Sequence, residues 1–215
     1  MSIAWAGIRQ QVVDLCLELS RRGYFSGTGG NLALRIDPDH FAVTPSATDY
    51  HVMTVENVSI LRLANLLQVA GDRPPSVESG LHARVLRQRR DVSCSIHTHQ
   101  PIASAWALTG RSLKIEDPAL QADLGDCVPV VGYAPSGTGW LSAKFGRKLR
   151  AGRNAYLLFN HGVVCCGDNP GDALRKLTLL EHLVRRRLRE RIIERGALDA
   201  RLQPALQRVL ANLER

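Results

Sequence analysis

Two histidines one residue apart, His97-Thr98-His99, close a run of small and apolar residues that begins at Val92. Side chains in a strand alternate between faces, so both imidazoles point the same way with Cβ atoms ~7 Å apart. From there both can converge on one ion with Zn–N bonds of ~2.1 Å. Taken alone, the pair also fits two satisfied or surface histidines. A third imidazole, His161, ends another apolar run in Phe159-Asn160-His161-Gly162, where the glycine permits close backbone approach. Three nitrogen ligands leave a fourth position open, as catalytic zinc requires. Glu78, in Pro75-Ser76-Val77-Glu78, falls in the first turn of a predicted helix. By position alone it reads as a charge favoured by the helix dipole.

The elements that must hold these residues follow from periodicity. Ile8, Val12, Leu15 and Leu19 form one stripe of a helix over residues 4–22, stopped at Gly23. The small-residue turn Ser26-Gly27-Thr28-Gly29-Gly30 leads through Asn31 into a strand over 32–36, paired as a hairpin with 41–44. Short strands are expected at 58–63 and 66–70. A helix over 76–88 has Ser76 as its N-cap. The strand from Val92 to His99 places Val92, Cys94 and Ile96 on one face and Ser93, Ser95, His97 and His99 on the other. A short helix follows Pro101, then a strand over 127–131, a helix over 137–150, and strands 155–160 and 163–166 flanking His161-Gly162. A long helix from Pro170 carries Ala173, Leu177, Leu180, Val184, Leu188 and Ile192 on its buried stripe, and residues 197–215 form a basic helical tail. Strands and helices mixed in this order indicate an α/β sandwich on a largely antiparallel sheet.

With 215 residues, 45% of them hydrophobic, the chain is expected to form one domain over 1–215. It contains no apolar stretch of the ~20 residues needed to span a bilayer, and its N-terminus resembles no secretion signal, so a cytoplasmic protein is expected. The five cysteines form no CxxC pair, and disulfides are not expected. Much of the +8 charge lies in Arg185, Arg186, Arg187, Arg189 and Arg191, interleaved with Leu188, Ile192 and Ile193 at helical spacing. This reads as a solvated helix face rather than a nucleic-acid surface, because aromatic residues make up only 5% of the chain. A net positive charge would still steer phosphorylated substrates inward.

Gly27 to Asn31, Thr44-Pro45-Ser46, Pro75-Ser76-Val77-Glu78, His97-Thr98-His99 and Asn160-His161-Gly162 stand in an order and spacing that resembles the class II aldolase/adducin family. The resemblance spans roughly residues 8–190 and is strongest to its fuculose-phosphate aldolase-like sugar-phosphate aldolases. It implies a three-layer α/β/α sandwich with a mainly antiparallel central sheet, assembled as a homotetramer with sites at subunit interfaces. It further implies one Zn²⁺ per subunit on His97, His99 and His161, with Glu78 as general base. Gly30, Asn31, Ser46, Ala47 and Ser76 would line a phosphate site for a phosphorylated sugar. The same small and hydroxyl residues are also ordinary turn formers.

Three positions depart from the aldolase pattern. Pro118 stands where those enzymes carry a tyrosine acid, Val77 replaces a second serine, and Ala47 replaces a glycine. The epimerase branch has an aspartate in place of Glu78. The methylthioribulose-phosphate dehydratase branch keeps both the histidines and Pro-Ser-x-Glu, and it is the alternative reading. Decarboxylase relatives often have a lysine where Val77 stands. An adducin-like interaction module would lack the three histidines present here.

Overall fold

The computed structural model of the chain describes residues 5–25 and 27–213. The expected first residues of the opening helix, Ser26 of the glycine turn and the end of the tail lie outside that set. Helix α1 (Ala6–Arg21) precedes the strands β1 (Asn31–Arg35), β2 (His40–Val43), β3 (Ser59–Arg62) and β4 (Gln68–Ala70). Then come α2 (Ser79–Gln88), β5 (Cys94–Thr98), α3 (Pro101–Ala107), β6 (Leu113–Lys114), α4 (Pro118–Leu124), β7 (Cys127–Val128) and β8 (Val130–Val131). The chain continues through α5 (Gly139–Gly146), β9 (Ala155–Leu158), β10 (Gly162–Gly167), α6 (Pro170–Leu198) and α7 (Gln203–Leu213). Eight strands form one sheet in the order β4-β3-β2-β1-β5-β10-β9-β8. Among the described strands only β8 and β9 pair in parallel.

Alternation divides each central strand between two cores. Leu32 and Leu34 of β1, Cys94 and Ile96 of β5, and Val163 and Cys165 of β10 pack with α1, α3 and α6. Ala33, Val164 and Cys166 from the same strands pack with Leu81, Val85 and Leu86 of α2 and with Leu141 and Phe145 of α5. Helices on both faces explain why these strands are buried throughout, and the result is the expected α/β/α sandwich. No described helix is long and apolar enough to cross a membrane.

Several local expectations are corrected. Helix α2 begins at Ser79 with Glu78 at the N-cap position, and Ser76 lies before it, its hydroxyl accepting from the Glu78 N–H at 3.2 Å. Val92 joins the core under α2, opposite to Cys94 and Ile96, because β5 starts only at Cys94. Leu66 adopts φ 63°, a turn that holds β4 back to Gln68. Residues 127–131 are divided at Pro129, with β7 pairing β6 and β8 pairing β9, since proline has no N–H for a ladder. The short helix α4, capped by Asp117 through the N–H groups of Ala119 and Leu120, has no counterpart in the periodicity reading. The tail is helical but not one continuous rod: α6 ends at Leu198, and α7 packs back on it, with Leu206 3.6 Å from where a side chain on Gly196 would start.

Candidate metal centre

The middle of the sheet brings the histidines together. In the register of β5 with its neighbours, His97 stands beside Asn31 of β1 and Val164 of β10. Residues 159–161 join β9 to β10, and Asn160 takes φ 53°, a left-handed conformation that asparagine tolerates better than most residues. The turn swings His161 over the end of β5, where its ring centroid lies 4.6 Å from that of His97 and 5.3 Å from that of His99. The two Nε2 atoms of His97 and His99 are 3.1 Å apart. One ligand atom from each of the three rings can be chosen so that all lie within 4.8 Å of one another. The set runs from floor to rim: His97 is fully buried, His161 half-buried and His99 exposed.

Gly162 is what permits this approach. A Cβ there would stand 2.4 Å from the Thr98 carbonyl, 2.8 Å from the His99 ring and 3.1 Å from the His97 ring. Gly162→Ala must therefore push β10 away from β5 and spread the three imidazoles. We expect the variant to lose metal affinity by about 10- to 100-fold, measured by titration against a chelator. Unchanged affinity would mean that the strands relax without disturbing the rings.

Hydrogen bonding shows that the site suits a cation. His97 donates Nδ1–H to the Val163 carbonyl at 2.8 Å, which puts the ring's lone pair on Nε2. That bare Nε2 faces the His99 Nε2 and, at 3.3 Å, the Glu78 Oε2. The other carboxylate oxygen, Oε1, is 3.4 Å from the His161 Nε2. Lone pairs crowded at these distances repel unless a proton or cation lies among them. His161 Nδ1 is also buried without a hydrogen-bond partner. Two nitrogens each ~2.1 Å from one zinc stand ~3.4 Å apart at the tetrahedral angle, close to the His97–His99 spacing. Burial pushes His97 down to about 3, and His99 below the usual histidine range, so both rings are neutral and ligand-competent at neutral pH.

Glu78, 4% exposed, carries the one carboxylate reaching this cluster among the described residues. Burial alone would raise its pKa, but the His97 imidazole, the Asn31 amide, His161 and the Ser136 hydroxyl together outweigh burial and hold it well below the usual carboxylate range. Asn31 Nδ2 donates to Oε2 at 2.8 Å and the Ser136 hydroxyl donates to Oε1 at 2.8 Å. Both oxygens are thus fixed, one from the sheet and one from the exposed loop before α5. The contact from Ser136 joins residues 58 positions apart, and no local pattern announces it.

Of the expected phosphate-site residues, Asn31 and Ser76 touch Glu78 directly, and Ser46 is tied to the segment that leads into it. The segments around Ser46 and Ser76 are zipped by Ser46 N–H to the Pro74 carbonyl and Ser76 N–H to the Thr44 carbonyl, both 2.9 Å. Ala47 is exposed and takes φ 47°, which accounts physically for a glycine being usual there. Gly30, at φ 89°, lies against the His97 carbonyl and the Phe25 ring, and its own carbonyl accepts from the buried Tyr50 hydroxyl at 2.5 Å. Asn31 has its amide oxygen and one amide hydrogen engaged within the protein, leaving one further hydrogen to donate. Pro118 opens α4, and the hydroxyls of Tyr50 and Tyr156 are both spent on backbone carbonyls.

The family model "Class II Aldolase and Adducin N-terminal domain" matches residues 10–188. L-fuculose phosphate aldolase of Escherichia coli (strain K12) is 30% identical over 167 residues, 78% of this chain and 76% of that protein. Methylthioribulose-1-phosphate dehydratase of Serratia proteamaculans (strain 568) is 27% identical over 195 residues, 85% of this chain and 95% of that protein. A solved L-fuculose 1-phosphate aldolase superposes with a TM-score of 0.76 over 97% of both chains at 22% identity, a likeness of fold.

Proposed function

The chain belongs to the class II aldolase and adducin family, and from that premise we propose that it is a zinc-dependent aldolase cleaving a ketose 1-phosphate to dihydroxyacetone phosphate and an aldehyde. The observation that carries this reading is the convergence of three imidazoles and one clamped carboxylate: Nε2 of His97 and of His99 are 3.1 Å apart, and Glu78 lies within 3.4 Å of His97 and His161. His97, His99 and His161 would hold one Zn²⁺ per subunit, with a position left open for substrate. When bound, zinc supplies a Lewis acid for the negative charge that develops on the ketose oxygens.

Glu78 moves the proton. Ionised at neutral pH, its carboxylate would accept the proton given up by the hydroxyl that becomes the aldehyde as the carbon–carbon bond breaks, and would return it to the carbon left with the bond's electron pair, completing dihydroxyacetone phosphate. Asn31 and Ser136 orient it by holding one oxygen each. Gly30, Ser46, Ala47 and Ser76, with the remaining amide hydrogen of Asn31, take the phosphate, and that grip fixes the rest of the sugar over the carboxylate. Residues 1–215 act as one domain of a cytoplasmic homotetramer whose sites lie at subunit interfaces, with the exposed His99 at the rim.

The test is metal content by elemental analysis, followed in the same sample by release of dihydroxyacetone phosphate from a panel of ketose 1-phosphates. Near one zinc per chain with triose phosphate release is expected. A dehydratase acting on methylthioribulose 1-phosphate is the second reading, favoured by the near-complete overlap with the Serratia proteamaculans relative and by Pro118 in the tyrosine position. Zinc with water loss from that substrate, and no triose phosphate, would replace the first reading by the second. Absence of any bound divalent metal would point instead to an interaction module.

A further inference from the structure

Behind Glu78 lies a polar chain that is completely enclosed. His82, Ser95 and Asn31 are 0%, 0% and 8% exposed, in a layer otherwise filled by Leu81, Val85, Ala33 and Val164. Ser95 Oγ stands 2.8 Å from His82 Nδ1, His82 Nε2 stands 2.6 Å from Asn31 Oδ1, and Asn31 Nδ2 stands 2.8 Å from Glu78 Oε2. Three elements supply the members. Glu78 at the N-cap of α2 lies four residues before His82 within it, Ser95 is two residues from His97 on β5, and Asn31 is the register partner of His97 on β1.

The donor direction along this chain is determined by its end. An ionised carboxylate only accepts, so Asn31 must turn its NH₂ towards Glu78 and its carbonyl towards His82. His82 Nε2 must then carry the proton, Nδ1 holds the lone pair, and Ser95 must donate its hydroxyl hydrogen. Each link has one permitted orientation, and reversing any of them sets two acceptors or two donors against each other in a buried space. A surface helix gains nothing from a neutral histidine in its apolar core, whereas a base that must meet a substrate carbon gains a fixed position.

We infer that His82 is a positioning residue for Glu78: it acts through Asn31 to lock the carboxylate oxygen Oε2 in its place above the histidine cluster, with Ser95 fixing the ring. The inference rests on the assignment of Glu78 as the base, and two measurements separate its failure from a failure of that assignment. The first needs no turnover. Long-range ¹H–¹⁵N correlation spectra of the metal-loaded protein should show His82 as the Nε2–H tautomer, protected from exchange, and a Nδ1–H tautomer or a cationic ring would overturn the inference whatever the reaction proves to be.

The second is kinetic, on whichever substrate of the panel is turned over. His82→Leu should keep its zinc and its KM while kcat falls about 10- to 100-fold. His82→Gln, whose amide can still donate to Asn31, should regain most of that loss. In the Glu78→Gln background the same His82→Leu change should cause no further loss, because the group being positioned is already inert. An equal loss in both backgrounds, or a rise in KM with kcat unchanged, would make His82 a core residue only. If His82→Leu does not fold, the tautomer and the His82→Gln variant decide.

Discussion

Glu78→Gln keeps its metal and loses turnover by about 10²- to 10⁴-fold, the range that general acid–base catalysis contributes. The surroundings make this a clean substitution. Asn31 presents an N–H to Oε2, so the new amide must put its oxygen there and its NH₂ towards Ser136, whose hydroxyl can rotate to accept. Shape and hydrogen-bond number are conserved, and the three imidazoles keep their partners. What disappears is the ability to take a proton at neutral pH. Metal by elemental analysis and kcat on the same preparation are the measurements. Normal turnover with normal metal content would reduce Glu78 to a charge at the start of α2.

His99→Ala removes both metal and activity, with kcat/KM falling by at least about 10³-fold, while the fold persists. His99 is exposed, and among the described residues its side chain has one hydrogen-bond contact, to the neighbouring His97. Its loss therefore opens no cavity and orphans no backbone group. The midpoint of thermal unfolding should match that of the wild-type protein stripped with a chelator, and added zinc should raise the wild-type midpoint but not the variant's. His97→Ala differs in a measurable way. It loses metal too, but it empties a fully buried position and leaves the Val163 carbonyl without its donor, which costs about 1–3 kcal/mol in stability. A His99→Ala protein that still binds zinc tightly and turns over would remove the imidazole cluster from the chemistry.

Not all of the site is equally visible in the chain. His97 and His99 are a local pattern, a period of two in an apolar strand, and Gly162 beside His161 marks a close approach that the packing against Thr98 and the two rings requires. His82 left a fainter trace. It sits one helical turn after Glu78 among Leu81, Val85 and Leu86, so a helix laid on the sheet by those apolar side chains must carry it inward. Ser136 left none, because the loop before α5 reaches Glu78 only once α5 has docked beside α2.

The same division runs through the fold. Residues two, three and four apart decided which segments became strands and helices, because backbone geometry alone repeats side chains on one face at those intervals. They determined the long stripe of α6, the hairpin of β1 and β2, and the shared direction of His97 and His99. Register is another matter. That Asn31 lies beside His97, that Pro129 sends β7 and β8 to different partners, and that Glu78 hangs from α2 between two imidazoles depend on contacts across tens of residues. Such contacts form only when two cores close on either side of the sheet. The sequence by itself supplied three histidines and one glutamate as residue types at given spacings; only the tertiary structure decided their distances, their protonation and the buried chain that holds the carboxylate still, because each of those depends on which atoms are excluded from water together.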